Sequence, residues 1–264
     1  TGSNFIVCTH TEPEDVLDSM TQTNNAIAGD DTVQTNFAGV VQDMQLENVC
    51  DQSGLGNNNA QCDSNSADNF IGPVGQFNVA DGSGDADFTQ NNDPVINQVM
   101  DAQNDCDHSG EQVGAGGNFA DCTNNDARND ISSITQTNDA TGTHVDDIFQ
   151  DNTGSFSQVM TLANGCDATT FSDSGDNSAI CSNHGEENDI GVVAQTNTAT
   201  GNDDVLIDQD NNVAVSQTLT ANNDCDSTAQ NDVECSNDEA GSIIGDITQE
   251  NIATGDDFAS ITQS

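Results

Sequence analysis

Nine cysteines, with glutamines and asparagines at fixed distances from them, are the residues whose spacing carries chemistry in this 264-residue chain. Cys50, Cys106, Cys166 and Cys225 each have Asn two positions before them and Asp directly after. Each is followed 10 to 16 residues later by a second cysteine: Cys62, Cys122, Cys181 or Cys235. Pairs at so variable a separation read as disulfides rather than zinc ligands, and disulfides persist in oxidising, extracellular settings. The short variable loop favours pairing within each unit. A second register is also open, joining Cys8–Cys50, Cys62–Cys106, Cys122–Cys166 and Cys181–Cys225, with Cys235 left to reach Cys8 of a neighbouring copy. Spacing alone does not choose between the registers. Cys8 is the odd member, yet it stands 14 residues before Gln22, the distance from every second cysteine to the next unit's glutamine.

Acidic turns are the second candidate. Asp30/Asp31, Asp146/Asp147, Asp203/Asp204 and Asp256/Asp257, with Asp85/Asp87, recur at one place in the repeat. Stacked repeats would gather these carboxylates into a column, where like charges repel unless a cation intervenes. Carboxylate and amide oxygens suit Ca²⁺, so divalent cations are expected partners. His10, His108, His144 and His184 share no metal-like spacing, and no G-x-S-x-G, Walker or H-E-x-x-H motif occurs. No catalytic activity is expected. One Lys+Arg against 46 Asp+Glu, a net charge of −45, excludes a nucleic-acid binder, which needs cations to neutralise phosphates. The lone Arg128 cannot build an anion site. No apolar stretch approaches the length of a membrane span. The absence of an initiator Met leads to the expectation that Thr1 follows a removed targeting segment.

The elements that position these residues repeat. Segments opening at Gln22, Gln76, Gln136, Gln195 and Gln249 echo one another at spacings of 54, 60, 59 and 54, and Asn24, Asn78, Asn138, Asn197 and Asn251 stand two residues after each glutamine. A second glutamine follows (Gln34, Gln90, Gln150, Gln209, Gln263), then a third eight residues on (Gln42, Gln98, Gln158, Gln217). Ile134, Gln136, Asn138 and Ala140 alternate with polar residues, as do Phe156, Gln158 and Met160, a period of two that marks strands. Amides thus share a face with Ile, Phe and Met. That placement makes sense when identical strands stack about 4.8 Å apart and each inward amide bonds to its copies above and below. The expectation is all-β: a β-solenoid of about four and a half units (16–70, 71–130, 131–189, 190–243, partial 244–264), one unit per coil of three or four short strands, with disulfide-closed loops.

The string Q-x-N-x-A, a turn and a second Q-x-N resembles the curlin repeat of bacterial curli, most closely at Gln209-Asp-Asn211-Asn212-Val-Ala214-Val-Ser-Gln217. The period is more than twice a curlin repeat, and the cysteine loops and acidity are departures. The resemblance implies a secreted, self-assembling, amyloid-like fibre subunit at a cell surface or in a matrix. Residues 1–15 are expected to supply a strand that completes a neighbouring subunit, with 16–264 as one domain. Phe5, Ile6, Cys8 and Gln263 would then lie between copies. The competing expectation is a monomeric calcium-binding surface or adhesin module.

Overall fold

The computed structural model describes residues 4–11, 13–29, 31–50, 52–53, 58–83, 86–110, 118–145, 147–170, 176–202, 205–227, 230–238, 240–256 and 260–264. Among them every regular element is a strand. The first circuit of the chain runs through β1 (Asn4–Thr11), β2 (Glu14–Leu17) with β3 (Met20–Ala28), and β4 (Thr32–Val49) with β5 (Gln52–Ser53). The next runs through β6 (Asn58–Asn65), β7 (Asp68–Ile71) with β8 (Val74–Ser83), and β9 (Phe88–Gly110). Then come β10 (Phe119–Asn125), β11 (Arg128–Thr143) and β12 (Asp147–Thr170), followed by β13 (Asp176–His184), β14 (Glu187–Asn202) and β15 (Leu206–Ser227). β16 (Gln230–Asp238), β17 (Gly241–Ile244) with β18 (Ile247–Asp256), and β19 (Ser260–Gln263) complete the sequence.

Three parallel sheets result. The first is ordered β1-β6-β10-β13-β16, the second contains β2, β3, β7, β8, β11, β14, β17 and β18, and the third is ordered β4-β9-β12-β15-β19 with β5 beside β9. Register follows the sequence repeat residue for residue: Gln136 lies between Gln76 and Gln195, and Gln158 between Gln98 and Gln217. The third-sheet strands are about as long as a first- and second-sheet strand together, and they face both. Asn138 donates to Asn152 at 3.1 Å, Gln158 to the Asn129 carbonyl at 2.9 Å, and Asn124 to Asn164 at 3.0 Å. As residue numbers rise along β12 they fall across β11 and then β10. The cross-section is therefore two-layered, with the first and second sheets side by side against the third.

A bend keeps the split layer facing inward. Ile131 and Ile134 are both buried, so alternation slips by one residue at Ser132–Ser133. At the equivalent place in the adjoining circuits, a Cβ on Gly191 would overlap the Ser132 carbonyl oxygen, and one on Gly72 the Asp18 carbonyl oxygen. Glycine there permits the backbones to close on one another.

Between the layers apolar and amide bands alternate. From the turn at Val145 inward, the order is Ile148 with Ala140, then the Gln150, Asn152 and Asn138 amides, then Phe156 with Ile131 and Ile134. Gln158 and Asn129 follow, then Met160 and Leu162 against Ala127, then Asn164 and Asn124, and last Cys166 with Ala168. One residue breaks its column. Glu186, fully buried, stands where the adjoining circuits place Ala127 and Ala67, and neither carboxylate oxygen has a hydrogen-bond partner. Burial pushes its carboxyl up to about 7.

Candidate functional site

The amide columns are built as the repeat requires. Gln98 donates to Gln42 at 2.8 Å, Gln158 to Gln98 at 2.9 Å and Gln217 to Gln158 at 2.8 Å. Gln90, Gln150, Gln209 and Gln263 each donate to the preceding circuit's glutamine at 2.8 Å. In the column first marked by the repeat, Gln76 donates to Gln22 at 2.9 Å, Gln195 to Gln136 at 2.8 Å and Gln249 to Gln195 at 2.7 Å. That column is interrupted once. Gln136 donates instead to the carbonyls of Asn92 and Thr153, leaving Gln76 Oε1 buried without a partner. Pairing of β12 with β9 also skips here, from Asn152↔Asn92 to Ser155↔Val95, across Pro94, which has no N–H to give.

Asparagines run the other way. Asn24 donates to Asn78 at 3.0 Å, Asn78 to Asn138 at 2.9 Å, and Asn138 to Asn197 and Asn197 to Asn251 at 3.0 Å. The columns through Asn36 and Asn48 have the same sense. Each of these glutamine rungs points its Nε2 toward the N-terminal end of the stack, and each asparagine rung its Nδ2 toward the C-terminal end. Backbone bonds fix this choice, because the second hydrogen of each amide goes to a carbonyl of the facing strand, as Gln98 to Asn69 at 2.9 Å and Asn104 to Thr123 at 3.0 Å.

Two further columns add to those that the repeat marks: Asn69–Asn129–Asn188 and Asn124–Asn183–Asn237. The sequence does carry a signal for them, since these asparagines stand seven and two residues after the second cysteine of their units.

The cysteines lie on strands rather than in outlying loops. Bridges join Cys106–Cys122, Cys166–Cys181 and Cys225–Cys235, as unit-internal pairing expects. The first unit departs from it. Cys50 is bridged to Cys8, and Cys62, fully buried, is the cysteine outside the four bridges. Cys8 reaches that position because β1 pairs with β6 in the chain's own first sheet, Cys8 beside Cys62. Ile6 packs on the buried cysteine cluster and Gln263 extends its own chain's column; Phe5 is exposed. These residues thus serve their own chain, and β1 is no spare strand. Thr1 lies outside the described residues.

The acidic turns fall mainly outside them too: Asp30, Asp146, Asp203, Asp204 and Asp257 are not described, nor is the Asp256 side chain. Asp31 and Asp147 are aligned with Asp87 by strand register, and Asp31 Oδ1 accepts from the Asp87 N–H at 3.2 Å. Among the described residues the only His, Cys, Asp or Glu groups close enough to share an ion are sets of cysteines.

Outward carboxylates seldom stand over one another, but two pairs do. Partial burial first and then Asp210 raise Asp151, and partial burial first and then Asp189 raise Asp130. The chain's one Arg relieves the second cluster. Arg128 lies between Asp68 and Glu187 in its column and pulls both Asp68 and Asp130 downward against the effect of burial. Compared with known proteins, the chain matches no family model, no curated protein and no solved structure.

Proposed function

We propose that the chain is a β-solenoid of about four and a half repeat units and a non-catalytic structural subunit of an extracellular, curlin-like filament. Copies stack head to tail along the axis of the amide columns. The observation that carries the reading is the single direction of those columns. Whichever circuit closes an end, one face offers glutamine Oε1 acceptors and asparagine Nδ2 donors, and the opposite face offers glutamine Nε2 donors and asparagine Oδ1 acceptors. Head-to-tail stacking extends every column unchanged; head-to-head stacking sets acceptor on acceptor and donor on donor. Parallel strand edges add backbone groups in search of a partner at the same faces. A contact of this kind that does not close produces an open fibre. Four disulfides fit an oxidising, extracellular location.

Because β1 is already placed, the contact is stacking of coil upon coil, not donation of that strand. The net charge of −45 makes the association dependent on salt or divalent cations to screen it. Negative-stain microscopy across a salt series should show unbranched fibres with a meridional spacing of about 4.8 Å in fibre diffraction. A chain that stays monomeric at every salt concentration would overturn the reading.

A further inference from the structure

The nine cysteines form one continuous run, not four pairs and a remainder. Strand register aligns Cys8, Cys62, Cys122, Cys181 and Cys235 in the first sheet. It aligns Cys106, Cys166 and Cys225 in the third, with Cys50 bonded in behind them through its N–H to the Asp105 carbonyl. The two columns interleave. Cys8 Sγ lies 3.6 Å from the Val49 carbonyl oxygen, Cys50 Sγ 3.5 Å from that of Gln61, and Cys62 Sγ 3.5 Å from that of Asp105. Each of these carbonyls belongs to the residue just before the next cysteine in sequence. The pattern continues through Cys106, Cys122, Cys166 and Cys181 to Cys225, whose Sγ is 3.9 Å from the Glu234 carbonyl oxygen. The sulfurs of Cys8, Cys50 and Cys62 all lie within 4.8 Å of one another, as do those of Cys62, Cys106 and Cys122, and those of Cys181, Cys225 and Cys235. A cysteine of the third sheet therefore has a partner in reach on either side.

Nine is odd, so no register bridges every cysteine within one chain. We propose that the run is a disulfide relay, along which a thiol moves between the dry interior and the exposed Cys235. From the register of the structure, the Cys62 thiolate attacks Cys106 Sγ. The Cys62–Cys106 bond forms as Cys106–Cys122 breaks, and the electron pair leaves on Cys122. Cys122 repeats the step on Cys166, releasing Cys181, and Cys181 on Cys225, releasing Cys235. The number of bridges is constant, so no oxidant or reductant is consumed. Cys50, Cys62, Cys106, Cys122, Cys166 and Cys181 are fully buried, whereas Cys235 is exposed, so the run connects a shielded thiol to one that meets solvent. An apolar setting keeps thiols protonated, which makes each hop slow at neutral pH and faster as pH rises. The relay stands whether or not copies stack.

Parity gives a sharp test. In the full chain folded in air, Cys181→Ser leaves adjoining runs of six and two cysteines, and Cys235→Ser a run of eight. A relay lets every one of these pair, so maleimide counting in acid-quenched denaturant, without reductant, finds no thiol in either variant. Cys106→Ser, leaving runs of three and five, shows two, and the unmodified chain shows one. Fixed bridges predict otherwise: Cys235→Ser would retain two thiols, at Cys225 and Cys62, and that count overturns the proposal. Should the variants fail to fold, non-reducing peptide mapping of the native chain serves instead. Bridges of both registers, including Cys62–Cys106, support the relay, and the four bridges of the structure alone refute it.

Discussion

Glu186 offers the most quantitative probe of how this core is built. It occupies a column otherwise filled by small side chains, of which Ala67 and Ala127 pack with Met100, Met160 and Leu162, and it is fully buried with both oxygens unpartnered. Its carboxyl titrates at about 7 rather than 4.5, mainly because burial penalises the charge. A raised carboxyl favours the protonated fold. The native state is therefore unhampered by this group below pH 4.5, loses stability as pH climbs toward 7, and carries the full penalty above it. The difference between the two values corresponds to about 3 kcal/mol at pH 8. Glu186→Ala, which restores the column's ordinary residue, should stabilise the chain by about that amount at pH 8 and by far less at pH 4. Glu186→Gln should also flatten the pH dependence while keeping the side-chain volume. Guanidinium unfolding followed by circular dichroism, at fixed ionic strength from pH 4 to 9, isolates the effect as a difference from the unmodified chain. A difference that does not change with pH, or a less stable Glu186→Ala at pH 8, would refute burial as the source of the penalty.

Two further substitutions probe the remaining forces. Gln98 donates to Gln42, Asn69 and Asp130 and accepts from Gln158; Gln98→Leu strands these buried partners and should cost about 3 kcal/mol. Gln263→Leu, at the end of its column, should cost clearly less in the same denaturation assay. Arg128→Gln removes the only cation near Asp68 and Asp130, so its unfolding midpoint should fall in dilute buffer and approach that of the unmodified chain in molar salt.

Much of the architecture can be read from the residues because its chemistry is periodic. Strands, the inward face of the amides and the register of Gln22, Asn24 and their copies follow from spacing alone, since an amide column needs the same side chain at the same depth in each circuit. The two-layer closure does not follow. It depends on a one-residue slip between Ile131 and Ile134 and on close backbone approach at Gly72 and Gly191, which a period-two pattern does not display. Disulfide register is hidden for another reason: interleaved columns offer each third-sheet cysteine two neighbours at similar reach, so spacing fits both schemes. Glu186 is an exception within one column, and it becomes visible only once Ala67 and Ala127 are aligned beside it.

The strict register means that chain length can change only in whole steps. Removing the 59 residues between Asn118 and Ser178 would carry β13 down onto β6, since Phe119 is the register partner of both Asn59 and Ser178. Amide columns that cross the excised circuit would each shorten by one rung and rejoin; a smaller deletion would put core side chains outside along a strand. Such an excision takes Cys122 and Cys166 together, one from each column. An odd count of cysteines therefore survives the loss or gain of any whole circuit, and a duplication that lengthened the molecule would pass the same leftover sulfur to its descendant.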